Sequence, residues 1–191
     1  MIPNARPKQK KEATLELLKK HKVVDPVCLV GVRGYYSKMG PTTGNDRNQW
    51  DDAFILISSG GDVYATFNGN VDPSAYGRNP KINKPYAVLK PGVYTYKLGL
   101  HGIRSGKPYR ALVQGAPVTV LRGDEEETGY FGINIHAGGN NPKRTESEGC
   151  QTLPGRPGQA GSQWHAFITL VESEMRRNNA KTLSYVLVNN S

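Results

Sequence analysis

The sequence predicts a mainly β domain of the α+β class, with a few helices. Three observations lead there. The 191 residues include 22 glycines and 13 prolines, which cut the chain into short segments, a punctuation that suits strands and turns rather than a helical bundle. Between these breaks, apolar residues come in short runs with strand-like alternation. Helical periodicity is confined to one good stretch late in the chain and a shorter one near its start.

Residues 1 to about 10 read as a flexible basic arm, and Glu12 to His21 as a short basic helix with Ala13, Leu17, Leu18 and His21 near one face. Asp25-Pro26 ends it, and "VCLVGVRGYYS" follows as a strand. "KMGPTTGNDRNQWDD" has no periodicity and reads as a loop. Phe54 to Ile57 and Val63 to Phe67 form the clearest hairpin, because Gly60-Gly61 supplies the positive-φ turn it needs. Residues 70 to 85 read as a second long loop. "AVLKPGVYTYKLG", "YRALVQG" and "APVTVLRG" supply further strands, "DEEETG" an acidic turn, and "YFGINIH" another strand. In "QWHAFITLVESEMRRNN", Trp164, Phe167, Ile168, Val171 and Met175 recur at helical spacing, with Ser162 placed to cap the start. "TLSYVLV" closes the chain as a strand. The expected organisation is an arm and helix over residues 1–22 and a single domain over 23–191, long enough to bury a core.

The formal charge of +9 concerns partners rather than fold. No zinc-finger spacing, aromatic RNA-binding signature or basic zipper accompanies it, so a nucleic-acid partner has charge alone behind it and is not expected. No run of the sequence is long and apolar enough to cross a bilayer, and "MIPNARPKQKKEATLELLKKHK" has no signal core. The expectation is synthesis in the cytoplasm without a standard export signal, and a monomer. Of two cysteines, Cys28 sits in the apolar run "VVDPVCLVGV" and reads as core. Cys150, among Gly, Glu and Ser, does not.

The chemistry concentrates in "INIHAGGNNPKRTESEGC", from Ile133 to Cys150. Side chains of a strand alternate, so Phe131, Ile133 and Ile135 share a core face, while Asn134 and His136 share the opposite, open one. Cys150 follows His136 by fourteen residues, a loop that closes at modest entropic cost. A thiol needs a neighbouring base to become a nucleophile, and an imidazole supplies it. Gly149 permits a tight or positive-φ turn that exposes the sulfur and aims backbone N–H groups as an oxyanion hole. Ser147, or a backbone carbonyl beside His136, would orient the ring. His136, Glu148 and Cys150 lack a fourth ligand at zinc spacing, and no metal or cofactor is expected.

"INIHAGG" followed by "SEGCQTLPG" resembles the active-site signature of the L,D-transpeptidase catalytic domain (the YkuD type): a strand ending in His, a spacer of similar length, then Ser or Thr, a variable residue, Gly and Cys. Ser147, Gly149, Cys150 and His136 match, and "KPGVYTYKLG" resembles the turn and strand before that site. The close likeness covers about 20 residues. It implies an L,D-transpeptidase-like β-sandwich or barrel behind the basic N-terminal helix, a cysteine nucleophile with His136 as base, and peptidoglycan stem peptides as substrate. Asn134, Glu148, Arg144, His101 and Arg104 are the substrate-binding candidates, the arginines and His101 to meet stem-peptide carboxylates. The chain departs from the pattern at Glu148, where the family often has His, at Ala137 and at Gln151. A small basic wall-active enzyme without an export signal resembles a phage endolysin, reaching the wall (periplasm) after release. A true L,D-transpeptidase or a secretion-system effector, and a non-catalytic wall-binding phage protein, are the alternatives.

Overall fold

The computed structural model describes residues 2–37, 46–74, 77–142, 144–145 and 147–190; residues 38–45 of the first predicted loop lie outside them. In chain order the elements are α1 (Lys11–Lys20), β1 (Val27–Arg33), β2 (Asp52–Ser58), β3 (Val63–Gly69), β4 (Arg78–Asn79), β5 (Lys84–Pro85), β6 (Val88–Leu89), β7 (Gly92–His101), β8 (Tyr109–Gln114), β9 (Val118–Arg122), β10 (Glu125–Gly129), β11 (Ile135–Ala137), β12 (Gln151–Leu153), α2 (Gln163–Arg177) and β13 (Leu183–Asn189). The fold is mainly β, as predicted.

Eight strands form one sheet in the order β12-β11-β8-β7-β13-β1-β2-β3. The two edges then meet: Asn70, just past β3, exchanges two 2.8 Å backbone hydrogen bonds with Thr152 of β12. The sheet is therefore nearly closed into a barrel, which removes most of its free edge. β13, the last strand in sequence, lies between β7 and β1, parallel to β1 and antiparallel to β7.

Alternation on β1 and β2 explains the two cores. Val27, Leu29, Phe54 and Leu56 join Phe67, Tyr96, Leu112, Ile135, Leu153 and Tyr185 in the main core. Cys28, Val30, Val32, Ala53, Ile55 and Ile57 pack on the other face, under Leu18 of α1. Both faces are covered, so these strands read as unbroken apolar runs. The stripe predicted on α2 enters the main core as expected: Trp164, Phe167, Ile168, Val171 and Met175 are all buried. The Ser162 hydroxyl accepts from His165 N–H at 3.1 Å and caps the helix.

Four local expectations are corrected. Residues of the arm are tied down along β3: the Thr66 hydroxyl donates to Pro7 O at 2.7 Å and the Tyr64 hydroxyl to Gln9 O at 2.6 Å. The inner face of α1 carries Thr14 and Leu18, while Ala13 is exposed. "DEEETG" is β10, paired with β9, and its acidic side chains are matched to basic neighbours, Lys90 with Glu126 at 2.6 Å and Arg122 with Glu127 at 3.3 Å. The loop between residues 70 and 85 contains the short β4–β5 pair.

Candidate active site

Two structural units build the site. One is the short parallel pair of β11 and β12, in register Ile135 to Gln151 and His136 to Thr152. Continuing that register backwards sets Cys150 beside Asn134, two residues before His136. Ile135, Gln151 and Leu153 point into the core and are fully buried; Asn134, His136 and Cys150 take the opposite face. The other unit is the tip of the β7–β8 hairpin, where His101 and Tyr109 are a cross-strand pair with ring centroids 5.6 Å apart.

The tip lies over His136. The His101 ring stacks on the His136 ring at 3.9 Å between centroids, 10° from parallel. The Tyr109 hydroxyl is 3.1 Å from His136 Nδ1. His136 is consequently only 6% exposed. The sequence placed it correctly opposite Ile135, but the face is covered rather than open. A further correction concerns the strand itself. Only Ile135–Ala137 is paired, because Gly132 turns the chain with φ 73°, a left-handed conformation that favours glycine.

That turn brings its own backbone to the Cys150 sulfur. The Cys150 thiol donates to Gly132 O at 3.1 Å, and Asn134 N–H donates to Cys150 Sγ at 3.4 Å. A ring nitrogen of His101, a ring nitrogen of His136 and Cys150 Sγ all lie within 4.8 Å of one another. His136 Nδ1 donates to Ala137 O at 2.8 Å. The neutral ring then carries its proton on Nδ1 and leaves Nε2 as a base. The ring is thus oriented by the Ala137 carbonyl and Tyr109.

Ser147 is hydrogen-bonded to the backbone of Cys150 rather than to His136. Its hydroxyl donates to Cys150 O at 2.5 Å, locking the turn before the cysteine. Its backbone is pinned in turn: Ser74 N–H donates to Ser147 O at 2.9 Å. Gly149 has no positive φ. It is needed for close approach instead, since a Cβ there would stand 3.1 Å from Ala87 O and 3.2 Å from Ile133 Cδ1. Among the described residues, no acceptor is paired with the N–H of Gly149 or Cys150.

Cys150 opens onto a cavity of about 430 Å³. His101, Arg104, Arg122, Phe131, Ser147 and Glu148 are among its lining residues. Arg144 is exposed and is not among them. Asn134 lines an adjoining groove with Leu100, Ile103 and Tyr130, and three of its polar groups also hold the site together. Besides its N–H on Sγ, its carbonyl accepts from Gln151 N–H at 2.8 Å and its Nδ2 donates to His101 Nδ1 at 3.1 Å.

Burial decides the resting charges. It pushes the Cys150 thiol up to about 11, against the Asn134 N–H that lowers it, and the Glu148 carboxylate raises it further. Burial lowers His136 to about 3, and the neighbouring His101 adds to that. At neutral pH the pair is a thiol beside a neutral imidazole. Cys28 differs: it is 3% exposed, bonded to Asp25 O and pushed to about 12 by burial.

His101, His136 and Cys150 are also the side chains that could contact a metal ion, rather than the His136, Glu148 and Cys150 set considered from sequence. Nearly parallel stacked rings cannot both direct in-plane lone pairs at one ion, so tetrahedral coordination would require one ring to turn. The Ala137 carbonyl is the backbone carbonyl beside His136 that was expected to orient the ring; Tyr109, Gly132 and Arg122 were not found from sequence. Nothing local marks them; they reach the site through strand pairing and the turn at Gly132.

No protein-family model, curated protein or solved structure matches this chain. Among the described residues, no helix is long and apolar enough to cross a membrane.

Proposed function

We propose that this chain is a cysteine acyl-transfer enzyme that acts on the stem peptides of peptidoglycan, as a phage endolysin-type, L,D-transpeptidase-like protein. The observation that carries the acyl-transfer reading is the pairing of a cavity-facing thiol with an imidazole whose Nδ1 is committed to a carbonyl. The peptide substrate rests on the resemblance of the His136–Cys150 segment to the L,D-transpeptidase signature. The charge of +9 favours an anionic envelope.

In this reading His136 Nε2 takes the Cys150 proton as the sulfur attacks the carbonyl carbon of a stem-peptide bond. The pair starts neutral, so the proton moves as the substrate arrives rather than being lost beforehand. The N–H groups of Gly149 and Cys150 receive the oxyanion. The tetrahedral adduct collapses, the C–N bond breaks, and His136 returns the proton to the leaving amine. Water or an amine then takes the acyl group. Arg104 supplies positive charge for substrate carboxylates, and Glu148 supplies negative charge for an ammonium group. The chain works as a monomer on the wall, without nucleic acid or a cofactor.

Mass spectrometry of muropeptides from purified sacculi tests this reading. The parent protein shortens or exchanges stem peptides, while Cys150→Ala and His136→Ala lose at least about 10³-fold in rate. New cross-links would identify a transpeptidase, and shortened stems a hydrolase. Equal action by Cys150→Ala and the parent, or cleavage in the glycan alone, refutes the mechanism. Binding to sacculi without any product identifies a non-catalytic wall protein.

A further inference from the structure

Resting on that acyl-transfer reading, we propose that His101 is a catalytic residue of this site, whose Nε2–H donates to the oxygen that becomes negative when Cys150 is acylated. Three features of the molecule lead to this role, which differs from the carboxylate binding suggested by sequence.

The first is the tautomer. An amide Nδ2 can only donate, and Asn134 Nδ2 lies 3.1 Å from His101 Nδ1. Nδ1 is therefore the acceptor, and the hydrogen of a neutral His101 ring is on Nε2. His136 has the opposite arrangement, with Nδ1 donating to Ala137 O. The two stacked rings are thus complementary: one offers a lone pair at Nε2, the other an N–H.

The second is position. His101 lines the same cavity as Cys150, and a nitrogen of its ring lies within 4.8 Å of Sγ. The oxyanion forms on the carbon bonded to Sγ, and a donor must approach it to about 2.7–3.1 Å. A ring nitrogen within 4.8 Å of Sγ stands beside the carbon that will bond to the sulfur, and the assignment requires Nε2 to be the nitrogen that faces it. Asn134 N–H is already directed at the sulfur itself, so His101 adds a side-chain donor to the backbone N–H groups of Gly149 and Cys150.

The third is charge. Burial lowers the pKa of His101, so the ring stays neutral while His136 becomes an imidazolium 3.9 Å away. A neutral donor stabilises the oxyanion without repelling the proton that His136 must accept. In the step itself, the S–H proton passes to His136 and the S–C bond forms. The carbonyl π pair moves to oxygen, and His101 N–H bonds to it. When the pair returns, the bond to the leaving group breaks and His136 protonates that group.

Two reactions of the same thiol separate this role from a structural one. p-Nitrophenyl acetate acylates Cys150 through an oxyanion; iodoacetamide alkylates it without one. His101→Phe keeps a ring over His136 and removes the N–H, while His101→Gln keeps an N–H and removes the ring. The expected result for His101→Phe is a loss of about 10²–10³-fold in acylation, with alkylation little changed. His101→Gln recovers part of the acylation rate. Folding of each variant is checked by its thermal transition. Parallel loss of both reactions in His101→Phe would show that the ring only positions His136, and would overturn the assignment. Unchanged acylation would overturn it too. A parent protein that is alkylated at Cys150 but never acylated refutes the acyl-transfer reading itself, and this role with it.

Discussion

Replacing Gln114 by leucine tests how the Gly132 turn is held. Gln114 is 7% exposed, and its side chain stands where a neighbouring strand would otherwise be. Its Oε1 accepts from Phe131 N–H at 3.0 Å and from Ile133 N–H at 2.8 Å. Its Nε2 donates to Gly129 O at 3.1 Å. Leucine has a similar volume and makes none of these bonds. The Ile133 N–H is left buried and unpaired, and Phe131 N–H partly so, which costs about 1–3 kcal/mol for the first and less for the second. The sum, about 2–4 kcal/mol, lowers the thermal midpoint by roughly 4–16 °C for a chain of this size. The turn also carries the carbonyl of Gly132 that receives the Cys150 thiol, so acylation by p-nitrophenyl acetate slows as well. Thermal denaturation and acylation kinetics on the same samples read both effects. A Gln114→Leu protein with the parent's midpoint and acylation rate would refute the claim that this amide builds the site.

Three other outcomes are expected. Tyr109→Phe removes the hydroxyl that lies 3.1 Å from His136 Nδ1 and 3.5 Å from Ala137 O; losing about 1 kcal/mol of orientation slows acylation about fivefold, and an unchanged rate would exclude Tyr109 from the site. Iodoacetamide applied to the folded protein labels the half-buried Cys150 and spares the buried Cys28 until denaturant is added; peptide mapping that finds Cys28 labelled first contradicts the structure. Burial raises the Asp51 carboxyl to about 6, and nearby Asp46 and Asp72 add to it. A carboxyl raised on folding stabilises most below the unfolded value of about 3.9, and that contribution is lost as pH climbs towards the folded value. Asp51→Asn should therefore gain on the parent by on the order of 2–3 kcal/mol between pH 4 and pH 7, read by urea unfolding at each pH; a difference that does not change with pH rejects the shift.

The parts of the molecule visible in its sequence are those governed by near neighbours. Trp164, Phe167, Ile168, Val171 and Met175 repeat at the pitch of a helix, and Ser162 stands where a helix start wants a hydroxyl. Gly60 and Gly61 take positive φ between β2 and β3, as their hairpin requires. The same local rule misled over Tyr130 to His136. A single left-handed residue, Gly132, ends the alternation there, and an alternation count cannot detect it. It also misled over Glu125 to Gly129, where an acidic composition suggested a solvated turn. Pairing with β9 and basic partners on β5, the β6–β7 turn and β9 make it a strand.

From the residues alone came a mainly β domain, a buried Cys28 and the suspicion that His136 and Cys150 belong together. Those rest on periodicity, composition and the spacing of two reactive side chains. Tertiary structure decided the rest. It put β11 beside β12 in register, set the His101–Tyr109 hairpin tip over His136, and turned Gly132 O towards the thiol. Each of these depends on residues brought together from distant parts of the chain. Strand pairing and burial, which no local pattern encodes, determine where the protons of the two histidines lie and why the thiol waits in its neutral form.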